Sequence, residues 1–542
     1  MATIADAQYI IICFLLWLLS TLLLKSLFKK PSLHLPPSPR ALPVIGHLHL
    51  FTTPLAVSTQ TLAKKHGPLL YLRLGASRML LVSSAPVAAE IFKTQDLDFS
   101  DRPSFAFADK LPYGNSGFFA AEYGDYWRFM KKVCMAELFA PRQLERSRVV
   151  RREEIGRFLH KVLEKCEGND KKEKKDVVVL DMGAELMKLT NNTISRMAMS
   201  TSTCTDPEEY HGGGGADDEA RKIGELIKKT QDLAVKVSFG DVLGPLKGLG
   251  FLIFGRKIID VTMKYDEILE KMLMEHQERG KREGGLDRED RDLMNIILKL
   301  YEDDNAEIKI GRTQMKAFFL DIFLGGTNTS SEVMQWTMAE LINHPHVFDK
   351  LREEIRSVVG SNRLVDESDV PRLPYLQAIV KETLRLYPPL PLVTRKNRRI
   401  CNIQGFHIPQ DTTVAVNVYA IMRDPEFWEN PNEFFPERFL SVNSTAKEED
   451  HRSLENFSFI PFGGGRRRCP GSSLALNMIH ATIGALVQCF DWEVVGGDQH
   501  REHGHDGNKA KVNMQIGGGI SLAMAHPLLC IPVNVHFNPF TS

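Results

Sequence analysis

The sequence predicts a mainly α-helical protein with small β-sheets, set behind an N-terminal membrane-spanning helix. Three observations carry that expectation. From Thr52 onward, apolar residues recur mostly with helical periodicity. Strand-like segments are few and short, at residues 69–74, 79–82, 401–416 and 519–535. Residues 9–24 (YIIICFLLWLLSTLLL) are almost wholly apolar and are followed by Lys25, Lys29 and Lys30.

The N-terminal segment comes first. Sixteen residues are at the short end for a spanning helix, which needs roughly 17–25. Ala7, Gln8 and the aliphatic stem of Lys25 extend the run. Asp6 precedes it and the lysines follow, so the positive-inside rule places the body of the chain in the cytosol. A basic n-region and a small-x-small cleavage site are missing, which favours a retained anchor over residues 1–30 rather than a cleaved signal. Residues 31–51 are proline-rich. From Leu35 to Gly46 the closely spaced prolines hold the backbone extended, as a stiff strut between anchor and body.

Residues 52–542 form the body. It is 43% hydrophobic and 25% charged across the whole chain, with zero net charge and a pI near 7.3, so nothing indicates a nucleic-acid partner. The length of 542 residues alone suggests several domains. Eight cysteines (13, 134, 166, 204, 401, 469, 489 and 530) are scattered without a Cys-x-x-Cys pair, which fits a reducing compartment. Three stretches read as surface excursions: charged 165–175, glycine-rich 201–218, and 498–511, where His500, His503 and His505 fit a solvated loop better than a metal site. The glycosylation patterns at Asn191, Asn328, Asn443 and Asn456 are chance matches in a cytosolic body.

The chemistry-bearing residues begin with Phe462, Gly465, Arg467, Cys469 and Gly471, in the spacing Phe-x-x-Gly-x-Arg-x-Cys-x-Gly before an apolar helical run. A cysteine at the mouth of a helix and beside arginines is biased towards thiolate. Glycines let backbone N–H groups approach its sulfur. The ordinary alternative is a buried cysteine beside a basic turn. A second constellation is Glu382 and Arg385, which share a helix face at i,i+3. Arg438, in Pro436-Glu437-Arg438-Phe439, is a third member. A third is Gly325-Gly326-Thr327-Asn328-Thr329, inside a long apolar helix from about 312 to 341, where glycines and hydroxyls loosen the ladder and admit water.

These three motifs together resemble those of the cytochrome P-450 family, and the resemblance spans the chain from anchor to C-terminal strands. It implies a P-450 fold with a single haem-thiolate domain, overruling the several domains suggested by length. Cys469 is implied as the axial ligand of haem b. Glu382, Arg385 and Arg438 are implied as a buried structural triad. Thr329 matches the threonine that helps route protons to dioxygen. Asn328 departs from the family's acid, and an amide orients water but does not ionise near neutral pH. The expectation is therefore proton delivery through water ordered by Asn328 and Thr329. Trp127 and Lys131 match a pair that holds haem propionates, with Lys131 where Arg is common; Arg395 and Arg467 are further candidates.

No flavin or nicotinamide fingerprint is present, so NADPH electrons must arrive through a separate reductase, with cytochrome b5 a further donor and Arg466–Arg468 contributing to the docking face. The expected location is the endoplasmic reticulum membrane. Family-like substrate segments fall at 104–119, 317–329, 390–394 and 520–522. Leu320, Phe323, Leu324, Leu390, Leu392, Val393 and Leu522 give an apolar set suited to a bulky lipophilic molecule. The pattern is similar to that of plant microsomal members oxidising pentacyclic triterpenoids of friedelin or amyrin type, taking a methyl to an alcohol and onward to aldehyde or acid. Flavonoid hydroxylation or flavone formation is the neighbouring alternative. A haem-thiolate isomerase or dehydratase, or a non-catalytic partner, is the alternative of another class.

Overall fold

The computed structural model describes residues 34–104, 111, 113–170, 179–199, 247–282, 292–440, 457–495 and 510–540, with isolated residues in 13–20 and 222–233. Most of the expected anchor, the loop at 201–218, much of 498–511 and the Asn443 and Asn456 patterns lie outside them. Among the described residues, no helix is long and apolar enough to cross a membrane.

In chain order the α-helices are α1 Leu55–His66, α2 Ala85–Ala89, α3 Asp125–Glu137, α4 Pro141–Arg146, α5 Arg148–Asp170, α6 Met182–Met199 and α7 Lys247–Arg282. They continue as α8 Leu293–Glu302, α9 Arg312–Asn343, α10 Pro345–Val359, α11 Pro374–Leu386, α12 Val418–Ile421 and α13 Ser472–Cys489. The 32-residue α9 is the axis of the body, about 48 Å long. It starts where the Gln314 side chain accepts from the Gly311 N–H at 2.6 Å, and it stops before Pro345, which opens α10. Its apolar residues point all ways, as required of a helix enclosed by α6, α7, α10, α11 and α13. Two large core clusters flank it, one with Met334, Met338 and Leu341 against α13, the other with Phe318, Phe319 and Phe323 against α3 and α6.

The strands are peripheral. A four-stranded sheet has the order β1-β2-β7-β4, from β1 Leu69–Leu74, β2 Ser77–Val82, β4 Leu392–Lys396 and β7 Thr413–Asn417. β1 and β2 pair antiparallel (Leu70 with Leu81) across a tight turn at Gly75, whose φ is +57°. β7 runs parallel to β2 and antiparallel to β4, with Val393 opposite Val416. β5 Cys401–Ile403 and β6 Phe406–Ile408 form a hairpin whose turn residues, Gln404 and Gly405, both have positive φ. β3 Leu180–Asp181, β8 Phe490–Val494 and β9 Leu529–Val535 make the last sheet.

The 401–416 segment thus divides into three strands rather than one, because its polar turn residues break the run. Only 529–535 of the expected C-terminal stretch is strand; residues 516 and 524 make an isolated bridge, and the glycines between them form a loop. The described part of the proline segment is extended, and it docks on the body rather than standing free. Pro37 O accepts from Tyr71 N at 2.9 Å, and His34 stacks on Phe406. Asn191 and Asn328 are buried, which removes both as glycosylation acceptors.

Candidate active site

Cys469 sits on the loop that feeds α13. Two left-handed glycines shape that loop, Gly463 at φ +68° and Gly465 at φ +67°. Gly465 is also required for space: a Cβ there would stand 2.2 Å from Asp96 Oδ1 and 2.8 Å from Phe92 O. Asp96 in turn accepts the Arg466 backbone N–H at 3.0 Å, clamping the loop's outer edge. The Cys469 N–H donates to Phe462 O at 3.1 Å, closing the loop on itself. Phe462 is half-buried against the core, and Gly471 caps α13.

The Cys469 side chain carries accessible surface, yet burial is the main influence on its thiol and pushes it up. Both hold for a sulfur facing an internal cleft instead of bulk water. The Gly471 N–H, Arg468 and Lys131 pull the other way and favour thiolate. The sequence-based expectation of a thiolate driven by dipole and arginines therefore names the right helpers, but desolvation outweighs them. A bound metal cation reverses that balance.

Beside this loop lies a cluster of cations. α3 places Trp127 and Lys131 one turn apart, with Lys131 Nζ 5.0 Å from the Trp127 ring and bonded to Arg466 O. Arg467 donates to Ser100 O and Ala121 O, both at 2.7 Å, and stacks 4.4 Å over Trp127. Arg395, on β4, donates to Thr394 O at 3.0 Å and Gly464 O at 3.3 Å. A fourth member, Arg102, donates to the same Thr394 O at 2.6 Å.

None of these four cations has a carboxylate ion pair among the described residues. Desolvation and mutual repulsion lower Arg102 well below its ordinary value, and push Arg395 to about 9. Desolvation takes Arg467 to about 10, and it also lowers Lys131. Trp127 Nε1 and Arg102 Nε are buried without a hydrogen-bond partner. Arg395 and Arg467 are buried and Arg102 and Lys131 half-buried, and such unpaired cations with orphaned donors call for an anion. Two carboxylates beside a thiolate ligand satisfy that need, so the donor set fits the propionates of a haem.

Arg102 escaped the sequence reading. It lies in a short stretch, Asp101-Arg102-Pro103, with no periodicity to mark it, and its meaning appears only where β4 meets the Cys469 loop.

The Glu382 constellation forms as its spacing predicts. Arg385 Nε and Nη2 donate to the two Glu382 oxygens at 2.7 and 2.8 Å, and Arg438 Nε donates to Oε1 at 3.0 Å. Arg385 also donates to Met422 O, Pro431 O and Glu433 O, which pins the segment after α12. That segment reaches the thiolate loop through Trp428, whose Nε1 donates to Ser458 O at 3.3 Å. The triad is thus a scaffold for the backbone preceding Phe462.

On α9, the expected loosening takes a different form. The helix runs unbroken, and the Thr329 hydroxyl donates back to Gly325 O at 2.7 Å. Gly326 is where α6 presses in, since a Cβ there would meet Ile194 Cδ1 at 2.8 Å. The Thr190 hydroxyl of α6 donates to Thr327 O at 2.8 Å. Asn328 does not turn its amide to open space: its Nδ2 donates to Glu332 Oε1 at 2.6 Å. Ser521, from the loop before β9, donates to the same Oε1 at 2.7 Å. Glu332 is buried, its Oε2 has no partner among the described residues, and burial pushes its carboxyl up to about 7.

The apolar set divides. Leu320 and Leu324 are half-buried along α9, Leu390 is exposed, and Val393 reaches the Cys469 loop, 3.8 Å from where a Gly463 Cβ would be. Leu392 is partly buried against a small core cluster on the four-stranded sheet. Phe323 and Leu522 are core residues, each 1% exposed, with Leu522 packed beside Ala56 and Tyr419. Between Leu320 and Leu324 stands an unexpected carboxyl, Asp321. It accepts the Phe119 N–H at 2.8 Å, and burial pushes it up to about 7. It ties the 113–121 segment onto α9, and Ser521 and Leu522 bond Glu332 and Trp336 of that helix, so all four expected substrate segments lie on or meet α9 or the Cys469 loop.

This geometry fits a haem-thiolate protein: one cysteine on a glycine-shaped loop, a cluster of unpaired cations beside it and a long helix crossing the body. The cytochrome P450 family model matches residues 36–513, and the chain belongs to that family. Its cofactor is haem held by a cysteine thiolate, reduced with electrons from NADPH through a reductase, and its activity is that of a monooxygenase.

The chain is 43% identical over 536 residues to Cytochrome P450 705A22 of Arabidopsis thaliana, covering 97% of both chains. It is 39% identical to Beta-amyrin 24-hydroxylase of Glycine max, over 99% of this chain and 100% of the relative. It is also 39% identical to 3,9-dihydroxypterocarpan 6A-monooxygenase of Glycine max, over 98% and 99%. A zebra fish cytochrome P450 solved with progesterone superposes with a TM-score of 0.68 at 22% identity, covering 89% of this chain and 100% of that one, which confirms the fold.

Proposed function

We propose that this chain is a membrane-anchored monooxygenase that oxidises a methyl group of a pentacyclic triterpenoid of friedelin or amyrin type. The observation that carries the substrate class is end-to-end similarity to a β-amyrin hydroxylase, joined to the half-buried Leu320, Leu324 and Val393 around the candidate site. Such a skeleton presents almost only hydrocarbon, so apolar contact with few polar anchors suits it. Further turnover of the same methyl gives aldehyde and acid. The equally similar pterocarpan oxidase supports flavonoid-type oxidation as the second reading.

In this account Cys469 is the iron ligand, and Trp127, Lys131, Arg102, Arg395 and Arg467 hold the propionates. Bound there, the haem supplies O–O cleavage and oxygen insertion, which thiolate ligation favours. The protein's own part is positional and electrostatic. The Glu382 triad fixes the backbone ahead of the thiolate loop, the cations neutralise the cofactor's acid groups, and α9 holds the substrate and the proton route beside Thr329 and Asn328. The apolar run at 9–24 anchors the chain in the endoplasmic reticulum membrane with its body cytosolic. A lipophilic substrate then enters from the bilayer, and reductase or cytochrome b5 docks on the face bearing the exposed Arg466 and Arg468.

The test is product analysis in yeast microsomes containing this chain and a plant reductase. Friedelin, β-amyrin and a flavanone are supplied in parallel, with and without NADPH. An NADPH-dependent triterpene alcohol or acid supports the proposal. Oxidation of the flavanone alone overturns the substrate class and leaves the reaction type standing.

A further inference from the structure

Oxygen insertion consumes protons, and an amide at position 328 supplies none near neutral pH. The proton must come from a group that ionises. α9 carries three buried or half-buried carboxyls around and beyond the cleft. Asp321 is occupied by the Phe119 backbone N–H. Glu340 bonds the Tyr387 hydroxyl and His344. Glu332 differs from both. Its two described partners, Asn328 Nδ2 and Ser521 Oγ, are neutral and converge on one oxygen, leaving Oε2 buried with no partner.

Position matters as much as partners. Glu332 is one turn from both Asn328 and Thr329, so the three share a face of α9. On its other side, Ser521 is half-buried and follows directly on the exposed residues 518–520. Glu332 therefore stands between a solvent-facing loop and the Thr329 side of the helix.

We propose that Glu332 is the proton-delivering acid of this site, taking a proton from the Ser521 side and releasing it towards Thr329 in place of the ionisable group that position 328 lacks. The transfer balances without a further reactant. The protonated carboxyl first releases its proton to water on the Thr329 side and is left as carboxylate. Ser521 then gives its hydroxyl proton to Oε1 as it takes one from solvent, and rotation of the carboxyl about Cγ–Cδ exchanges the two oxygens and restores the acid. Asn328 holds the carboxyl in place by its 2.6 Å hydrogen bond, which makes it a positioning residue.

Charged groups on the packed elements leave this carboxyl to itself. On α6, Glu185 pairs with Lys161 and Lys188, and Arg196 with Glu153 and Glu154; on α11, Glu382 pairs with Arg385; on α13, burial lowers His480 to about 4. Burial raises Glu332 to about 7, so it is largely protonated below that pH and loses its proton as pH rises through it.

The inference rests on the monooxygenase reading above, and its test separates the two. Infrared spectra of the purified haem-loaded chain, wild type minus Glu332→Gln, are titrated from pH 5 to 9 without substrate. A protonated-carboxyl band should disappear with a midpoint near 7. In turnover, product per NADPH should fall about tenfold or more in Glu332→Gln, with peroxide rising to match. That substitution removes the ionisable group and keeps the contacts, because the new amide carbonyl still accepts from Asn328 and Ser521. The double variant Glu332→Gln with Asn328→Asp should recover coupling.

A purely structural role for Glu332 predicts wild-type coupling in Glu332→Gln, and that result overturns the proposal. So does a band that titrates near the ordinary glutamate value. If Glu332→Gln fails to retain haem, Ser521→Ala carries the test: it spares the carboxyl and should lower coupling, and unchanged coupling overturns the route. A wrong substrate class changes the product but leaves the infrared midpoint and the peroxide response intact.

Discussion

At the level of single residues, the cation cradle makes a prediction with two opposite signs. Without haem, Arg102 is a half-buried, desolvated charge repelled by Arg395 and Arg467. Removing it with Arg102→Ala should stabilise the haem-free chain, by relief of repulsion and desolvation. The same change should speed haem loss from the loaded protein, read as transfer to an excess of a haem-scavenging globin. Slower loss, or an unchanged rate, would remove Arg102 from the cradle. Gly465 gives a simpler prediction. Gly465→Ala forces a left-handed alanine against Asp96 and the Phe92 carbonyl, and should cost about 1–3 kcal/mol in denaturant unfolding. Residues of this kind divide sharply in how well the sequence shows them. Cys469, Phe462 and Gly465 are legible because loop chemistry needs those types at fixed offsets. Arg102, Asp321 and Glu332 are not, since each acquires meaning only from a partner distant in sequence: Thr394, Phe119 and Ser521 respectively.

At the level of elements, the Glu382 triad and the Asp321 tether are the two joints that hold loops to helices. Glu382 is fully buried with two arginines and the Phe435 N–H on its oxygens. Glu382→Ala strands those charges and should cost about 3–5 kcal/mol, measured by urea unfolding of the haem-loaded protein. A loss below about 1 kcal/mol would mean the triad carries little of the scaffold. Asp321→Ala should release the 113–121 segment, seen as faster limited proteolysis there while the core stays protected. The long helix α9 is legible in sequence almost to the residue, because an apolar run of that length bounded by Gly311 and Pro345 has no other reading. Short strands are less so. β4 is five residues with one fully buried position, and periodicity over so short a span cannot separate strand from loop. Asn328 shows the same limit at a site: the sequence reveals that the residue does not ionise, but not that its amide is spent on Glu332.

At the level of the whole molecule, a chain of zero net charge can still offer local positive charge at the reductase-docking face proposed above. Arg466 and Arg468 are exposed beside the thiolate loop. Reductase-driven turnover should therefore slow as ionic strength rises, while turnover driven by an added peroxide stays flat. Parallel salt sensitivity in both would place the effect elsewhere. The same molecular picture joins the distal elements, 36–513 as one family fold, into a single site: the loop at Cys469, the cradle on α3 and β4, and α9 across them. Oxygen insertion into a triterpenoid at that site is read out by isotopic dioxygen. Microsomes bearing this chain and a reductase are given β-amyrin and NADPH under ¹⁸O₂. The expected product is a triterpene alcohol carrying one labelled oxygen, absent without NADPH. A triterpene product without the label, or no triterpene product at all, would contradict the triterpenoid reading.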